Sequence, residues 1–255
     1  MTPFDTPLAG KNILVTGATG DIGAAIIRRL ASVGARPIIH FSRNERAAAS
    51  LLEGIGGKGW VIQADLSNPA EPAALWDAAI SQAGSVHGLV NNAGIRTEIS
   101  IEDELDAWQA AWMREFQVDL FSAADLCRSA IRHFRQIGGG RIVNIASRAG
   151  QRGYVADAMP YGAAKAALNN LTKSIARNFG KDGVIAIAIA PGWVRTSMAE
   201  NYVAKHGEAA ATADIPTGDL ASTEEIAELV AFALLPSQRS INGATLDVNG
   251  GSYVR

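Results

Sequence analysis

Short runs of branched apolar residues alternate along the chain with longer segments whose apolar positions recur at helical spacing. The first run, residues 12–16, is followed at once by glycines and reads as a buried strand. Residues 21–33 then carry Ile22, Ile26, Ile27, Leu30 and Val33, spaced as one face of a helix that stops at Gly34. The same alternation predicts further strands near 37–41, 60–64, 88–91, 141–146, 184–190 and 245–248. Helices are predicted near 45–52, 73–83, 104–136, 158–179 and 223–234. Strands that are apolar on both faces and separated by helices predict a doubly wound α/β sheet, seven mostly parallel strands with helices on both sides.

No Pro/Gly/Ser linker, composition break or fixed-period repeat divides the 255 residues, so a single domain is expected. The one long segment with weak patterning is 193–220, late in the sheet, a candidate for a cover over a bound ligand. Hydrophobic residues make up 48% and charged residues 19%, which excludes a disordered chain. Basic and acidic side chains number 23 and 25, so no cationic excess points to nucleic acid. Cys127 stands alone, which excludes an intrachain disulfide and fits a reducing compartment. No leader pattern and no apolar run of the ~18 residues needed to cross a bilayer is present, so a cytoplasmic protein without membrane attachment is expected.

The chemistry concentrates where predicted strands end. Residues 16–23 read T-G-A-T-G-D-I-G, directly after the first strand and opening the first helix. Glycines there permit a tight turn and a close approach of backbone N–H groups to a pyrophosphate, which the positive helix end also favours. The acidic residue that usually receives the ribose hydroxyls of NAD is missing after the second strand, where Ser42 and Arg43 stand instead. A hydroxyl and a guanidinium suit a 2′-phosphate, which favours NADP, with NAD the alternative. Asn91, Asn92, Ala93 and Gly94 end the fourth strand and Ser147 follows the fifth, at the sheet edge where open parallel sheets bind ligands. Tyr161 and Lys165 stand four apart in a helical segment and so project from one face.

These motifs together resemble the short-chain dehydrogenase/reductase family, in its single-domain branch of roughly 250 residues. The likeness runs over nearly the whole chain and includes Asp65-Leu66, N-N-A-G, Pro191-Gly192 and the closing Asn249-Gly250-Gly251. It implies a Rossmann-like fold, hydride transfer between NADP(H) and a carbonyl or secondary alcohol, and similarity to 3-oxoacyl-thioester reductases. It further implies a small-molecule substrate and a homotetramer. By resemblance Tyr161 is the general acid/base, Ser147 orients the carbonyl, and Lys165 binds ribose and lowers the tyrosine pKa. Gly17, Thr19, Asp21, Ile22, Gly23, Asp65, Leu66, Asn91, Asn92, Ala93, Gly94, Pro191, Gly192, Val194 and Thr196 are then the cofactor residues, with Ser42 and Arg43. A free tyrosine titrates near pH 10 and must come down about three units to exchange protons efficiently near neutrality. The Lys165 ammonium and an oxidised nicotinamide both favour phenolate.

Two positions depart from the branch. Asp21 stands where glycine is usual, and the spacing of Gly17, Gly20 and Gly23 also resembles the extended epimerase and dehydratase branch, against which length and N-N-A-G argue. Asp119 stands where an asparagine usually serves the proton relay, and an ionised carboxylate cannot donate as an amide does; it is expected on the inner side of the helix beneath Lys165. A catalytically silent nucleotide sensor is the remaining alternative, disfavoured by the Tyr161 and Lys165 pair. His40, His87, His133 and His206 have no metal-ligand spacing, so no metal is expected. Trp108 and Trp112 read as core or subunit interface, Trp193 as a candidate substrate contact, and Arg148 and Arg152 as solvated loop charges with a capacity to attract an acidic substrate group.

Overall fold

The computed structural model describes residues 6–255, apart from the side chains of Met198 and Asn201. Seven parallel strands form one sheet: β1 (Asn12–Val15), β2 (Arg36–Phe41), β3 (Trp60–Gln63), β4 (Gly88–Asn91), β5 (Gly140–Ile145), β6 (Val184–Pro191) and β7 (Thr245–Val248). Their order is β3-β2-β1-β4-β5-β6-β7, so the chain leaves β3 at one edge and returns beside β1. That reversal opens a crevice past the carboxyl ends of β1 and β4. Every residue of β6, Val-Ile-Ala-Ile-Ala-Ile-Ala-Pro, is buried, because helices cover both faces.

On one face lie α1 (Asp21–Ser32), α2 (Glu45–Gly54) and α10 (Thr223–Leu234), which enclose Val15, Ile39, Val90 and Ile187. The other face carries α3 (Glu71–Ala83), α5 (Ser122–Ile137) and α7 (Met159–Phe179), the last preceded by the short α6 (Ala149–Arg152), and α3, α5 and α7 enclose Leu14, Ile38, Leu89 and Ile142. Alternation along β1 thus sends Leu14 and Val15 into opposite cores, both fully buried. Shortening either to Ala would cost about 2–5 kcal/mol, since the surrounding sheet cannot close the cavity. Local signals set the helix limits: Ser222 and Glu225 form a reciprocal capping box at the start of α10, and Gly138 closes α5 in the left-handed conformation at φ 83°.

The structure departs from the predicted elements in two places. The expected helix at 104–136 is α4 (Leu105–Phe116), a π turn at Gln117–Phe121, and α5. Such an insertion into the helical ladder recurs at functional sites, and here it holds Asp119, a buried carboxylate. The weakly patterned segment 193–220 contains α8 (Ser197–His206) and α9 (Glu208–Thr212). Their apolar residues, Ala199 and Ala211, pack with Leu220, Trp193, Tyr202 and Val203 in a small core of their own. Among the described residues, no helix is long and apolar enough to cross a membrane.

Candidate active site

At the end of β1 the chain turns at Gly17, whose φ of 61° suits glycine and whose added Cβ would stand 2.9 Å from the Cα of Ala93. Gly23, in the first turn of α1, has no room either: a Cβ would lie 2.4 Å from the Gly17 carbonyl oxygen. Neutral hydrogen bonds fasten this turn to β4. The Thr16 hydroxyl accepts from the backbone N–H groups of Asn92 and Ala93, each at 3.0 Å. The Asn92 amide donates to the carbonyls of Thr16 and Gly17 at 2.9 and 3.1 Å.

His40, read from sequence as an ordinary scattered histidine, completes the fastening. The Gly17 N–H donates to its Nδ1 at 2.9 Å, and its Nε2 lies 3.1 Å from the Ala64 carbonyl, an arrangement that needs the proton on Nε2. Burial lowers its pKa to about 4, so the ring is neutral near pH 7 and one imidazole bridges β1, β2 and the end of β3. The signal available was a lone polar residue inside an apolar strand.

A cleft of about 650 Å³ runs from this turn across the sheet edge. Gly17, Thr19, Asp21, Ile22, Gly23, Ser42, Arg43, Asp65, Leu66, Asn92, Ala93, Gly94, Pro191, Gly192, Val194 and Thr196 line it, together with Ser147, Tyr161 and Lys165. Its volume falls in the range of small-molecule and cofactor sites. A dinucleotide fits the donor set: close-packed glycines at a helix N-terminus for pyrophosphate, and half-buried Ser42 with exposed Arg43 at the end of β2. Asp65, held below its usual range first by hydrogen bonds from Ser67 and then by Arg43 and Arg114, lies on the same side.

Asn91 is not a wall residue. Its amide donates to Asn144 at 2.8 Å and faces Cys127 Sγ at 3.3 Å, inside the sheet, because strand alternation turns it away from the cleft that Asn92 lines. Cys127 is buried and its thiol is pushed up to about 12 by that burial, which leaves it unreactive. Asp21 does not stand free before the glycine turn: it accepts from the backbone N–H and hydroxyl of Ser197 at 2.8 and 2.9 Å, joining α1 to the start of α8.

Tyr161 and Lys165 project into the cleft from the first turns of α7, with the Lys165 nitrogen 5.6 Å from the Tyr161 ring centre. That ammonium donates to the Ile145 carbonyl at 3.1 Å and faces Asp119 Oδ2 at 3.0 Å. The two form a buried ion pair, in which burial pushes the Asp119 carboxyl upward and Lys165 pulls it back. Asp119 Oδ1 accepts the Ile95 N–H at 2.8 Å. Both oxygens therefore face donors, as an ionised carboxylate requires. Gly94 leaves the space for this pair, since a Cβ there would be 2.9 Å from Asp119 Oδ2. Burial works against the Lys165 charge, yet Asp119, Tyr161 and Glu115 together hold its pKa above the ordinary lysine value.

Glu115, one helical turn before Asp119, escaped the sequence reading. It is fully buried, one oxygen accepts the Thr97 N–H at 2.8 Å, and the other has no partner among the described residues. Burial first and Asp119 next push its carboxyl upward, while the Thr97 N–H and Lys165 pull it back. Its only outward signal was its position on the inner face of the helix, four residues from Asp119.

The expectation of a depressed tyrosine pKa needs correction for the protein alone. Tyr161 is half-buried as a residue, and burial raises its phenol above the ordinary value. Lys165 and a hydrogen bond with Ser147 pull it back, while Asp119 adds to the rise. Ser147 is buried beside it, and its hydroxyl accepts the Ala149 N–H at 3.1 Å.

Beyond Tyr161 the wall becomes aromatic and cationic. Tyr154 packs on Tyr161 with ring centres 5.4 Å apart, and Arg96 lies 5.6 Å over Tyr154. Trp193 lines the cleft and packs on Tyr202 at 5.0 Å. Arg148, expected to be a solvated loop charge, is buried and donates to Asp214 at 3.2 Å, because segment 193–220 folds over it. Arg152 donates to the same Asp214 oxygen at 2.9 Å. Trp108 and Trp112 are half-buried and lie outside the apolar cores, in a ladder with Phe116 and Phe121 along α4 and the π turn.

Comparison with known proteins agrees with this architecture. Residues 17–253 match the family model described as enoyl-(acyl carrier protein) reductase. The cis-4-hydroxycyclohexanecarboxylate dehydrogenase of Sinomonas cyclohexanicum is 37% identical over 244 residues, 95% of this chain and 96% of that protein. The 3-oxoacyl-[acyl-carrier-protein] reductase of Vibrio cholerae is 34% identical over 247 residues, 97% of this chain and 99% of that one. A short-chain dehydrogenase/reductase structure from Serratia marcescens superimposes with a TM-score of 0.88 at 33% identity, covering 97% of this chain and all of that one. With the glycine turn, the Ser147, Tyr161 and Lys165 constellation and these relatives spanning nearly its full length, the chain belongs to the short-chain dehydrogenase/reductase family.

Proposed function

We propose that the protein interconverts a ketone and a secondary alcohol with NADP(H), with Tyr161 exchanging the hydroxyl proton. One observation carries the reading: a single cleft joins the glycine turn of β1 and α1 to Ser147, Tyr161 and Lys165 at the sheet's reversal point. The nicotinamide, when bound, supplies the hydride chemistry. This chain's residues do the rest. Ser147 donates a hydrogen bond to the substrate oxygen, Tyr161 gives or takes the proton at that oxygen, and Lys165 holds a positive charge beside the phenol. Asp119, Glu115 and the 95–97 backbone fix Lys165 in place.

NADP in preference to NAD rests on exposed Arg43 and half-buried Ser42 at the end of β2, where the acidic residue suited to free ribose hydroxyls is missing. Segment 193–220 serves as the substrate cover, tied at Asp21 and at Asp214. A homotetramer in the cytoplasm completes the proposal. Leu105, Met113 and Phe121 are exposed along α4 and the π turn, beside the aromatic ladder, and a second copy would cover them. The relatives act on two substrate chemistries, a hydroxycyclohexanecarboxylate and a 3-oxoacyl thioester, so both belong in the test.

Purified protein is mixed with NADPH or NADH and a panel of ketones and 3-oxoacyl thioesters, and nicotinamide absorbance is followed. Ketone-dependent oxidation of NADPH is expected, with NADPH bound tenfold or more tightly than NADH through charge-assisted contact with the 2′-phosphate. Arg43→Ala should narrow that gap, and equal affinities in the parent protein would overturn the NADP assignment.

A further inference from the structure

The charges lining the cleft are unevenly distributed. Arg43, Arg96, Arg114, Arg148 and Lys165 line it against two carboxylates, Asp21 and Asp65. Both carboxylates lie at the cofactor end: Asp21 opens α1, and Asp65 is influenced by Arg43 and Arg114. Around Ser147 and Tyr161 no carboxylate lines the wall among the described residues. Lys165 is neutralised from behind by Asp119, which leaves Arg96 and Arg148 as the cations of the substrate end.

These two arginines differ in how far the protein satisfies them. Arg96 is bound by Glu98 and, at 3.6 Å, by Asp157 of its own surface, and its Nε is sealed inside the protein. Arg148, next in sequence to Ser147, is 5% exposed and uses a single side-chain nitrogen, Nη1, on Asp214. Its other guanidinium N–H groups have no acceptor among the described residues, yet they are not sealed from solvent. Asp214 is itself shared, because the same Oδ2 accepts from Arg152. Two guanidiniums on one carboxylate leave a surplus positive charge, and a buried cation without full compensation is costly.

We infer that the substrate carries a carboxylate and that Arg148 anchors it in the cleft, an inference that rests on the hydride-transfer reading above. A planar guanidinium with unfilled N–H groups is the group best fitted to receive a carboxylate in two contacts. Its place directly after Ser147 fixes the acid end of the substrate close to the carbonyl that Ser147 and Tyr161 receive. Closure of segment 193–220 through Asp214 keeps Arg148 away from bulk water, which strengthens its hold on an anion. The compound class is a compact oxo acid or its hydroxy acid.

The test compares 3-oxobutanoate, 4-oxopentanoate and 5-oxohexanoate with their methyl esters, using the full-length protein and NADPH. For at least one chain length the acid should exceed its ester in kcat/KM by tenfold or more. In Arg148→Met that acid-to-ester ratio should collapse toward one, mainly through KM for the acid. Because Arg148→Met also loosens the Asp214 tie, Asp214→Asn is the second variant: it releases the segment but keeps the cation, and it should retain or raise the acid preference. Esters that match or surpass the acids at every length would overturn the carboxylate anchor while leaving the oxidoreductase assignment intact. An unchanged ratio in Arg148→Met would do the same for Arg148. Failure to reduce any acid or ester while NADPH binds would instead count against hydride transfer itself.

Discussion

The two ends of the cleft are built from different materials. At the cofactor end, Thr16, Asn92, His40 and two glycines without room for a side chain bind the turn after β1 to β4, β2 and β3 through neutral hydrogen bonds of 2.9 to 3.1 Å. At the substrate end, the segment carrying α8 and α9 is tied to the rest of the fold by carboxylates: Asp21 on Ser197, and Asp214 on Arg148 and Arg152. Neutral buried contacts depend little on salt, whereas partly exposed ion pairs are screened and contribute only about 0–1 kcal/mol each. The cofactor end is therefore preorganised, and the substrate end is held lightly enough to open.

The largest effect is expected at the rigid end. Gly23→Ala places a methyl group on the Gly17 carbonyl oxygen, with no flexible side chain able to yield. Strain of about 1–3 kcal/mol located at the pyrophosphate site should weaken NADPH binding roughly tenfold to a hundredfold, measured by fluorescence titration. Binding at parental affinity would mean that the turn is not the rigid element its packing implies.

Between the two ends lies the Lys165 cluster, where an intermediate effect is expected. The Asp119 charge raises the Tyr161 phenol pKa, so removing it favours phenolate. Asp119→Asn keeps an acceptor for the Ile95 N–H and is nearly the same size. Alcohol oxidation needs the phenolate as base, so its pH profile should move to lower pH, with cofactor affinity little changed. A profile superimposable on the parent's would remove Asp119 from the acid/base machinery.

The smallest effect belongs to the end tied by exposed contacts. Asp21→Gly deletes the two contacts to Ser197 that begin α8. Exposed contacts of this kind are individually weak, so cofactor dissociation, followed by stopped flow, should accelerate only about twofold to fivefold. A hundredfold acceleration would show that the segment is locked as firmly as the glycine turn.

The same division separates what the sequence reveals from what it hides. Strands, helices and the glycine turn are legible because their signals are local: apolar alternation, a helical period, glycine next to a strand end. Tyr161 and Lys165 are legible because a four-residue spacing on a helix fixes their common face. The π turn leaves no such mark, since the helical apolar period continues through Gln117–Phe121 and only the hydrogen-bond ladder shifts. Glu115 and Arg148 look like surface charges until the fold covers them. Their partners are remote or backbone: Arg148 meets Asp214 across 66 positions, and Glu115 receives the N–H of Thr97, 18 positions away. Asp21 meets Ser197 across 176 positions, which no local pattern announces.

On the proposed reading, Tyr161 passes the proton in a cleft whose cofactor end is already formed. Tyr161→Phe keeps the ring that packs on Tyr154 and removes only the hydroxyl. Measured side by side, NADPH affinity should stay within a few-fold of the parent while single-turnover reduction falls about 10²- to 10⁴-fold, the usual contribution of a general acid/base. Turnover within a few-fold of the parent, with cofactor bound normally, would contradict the account.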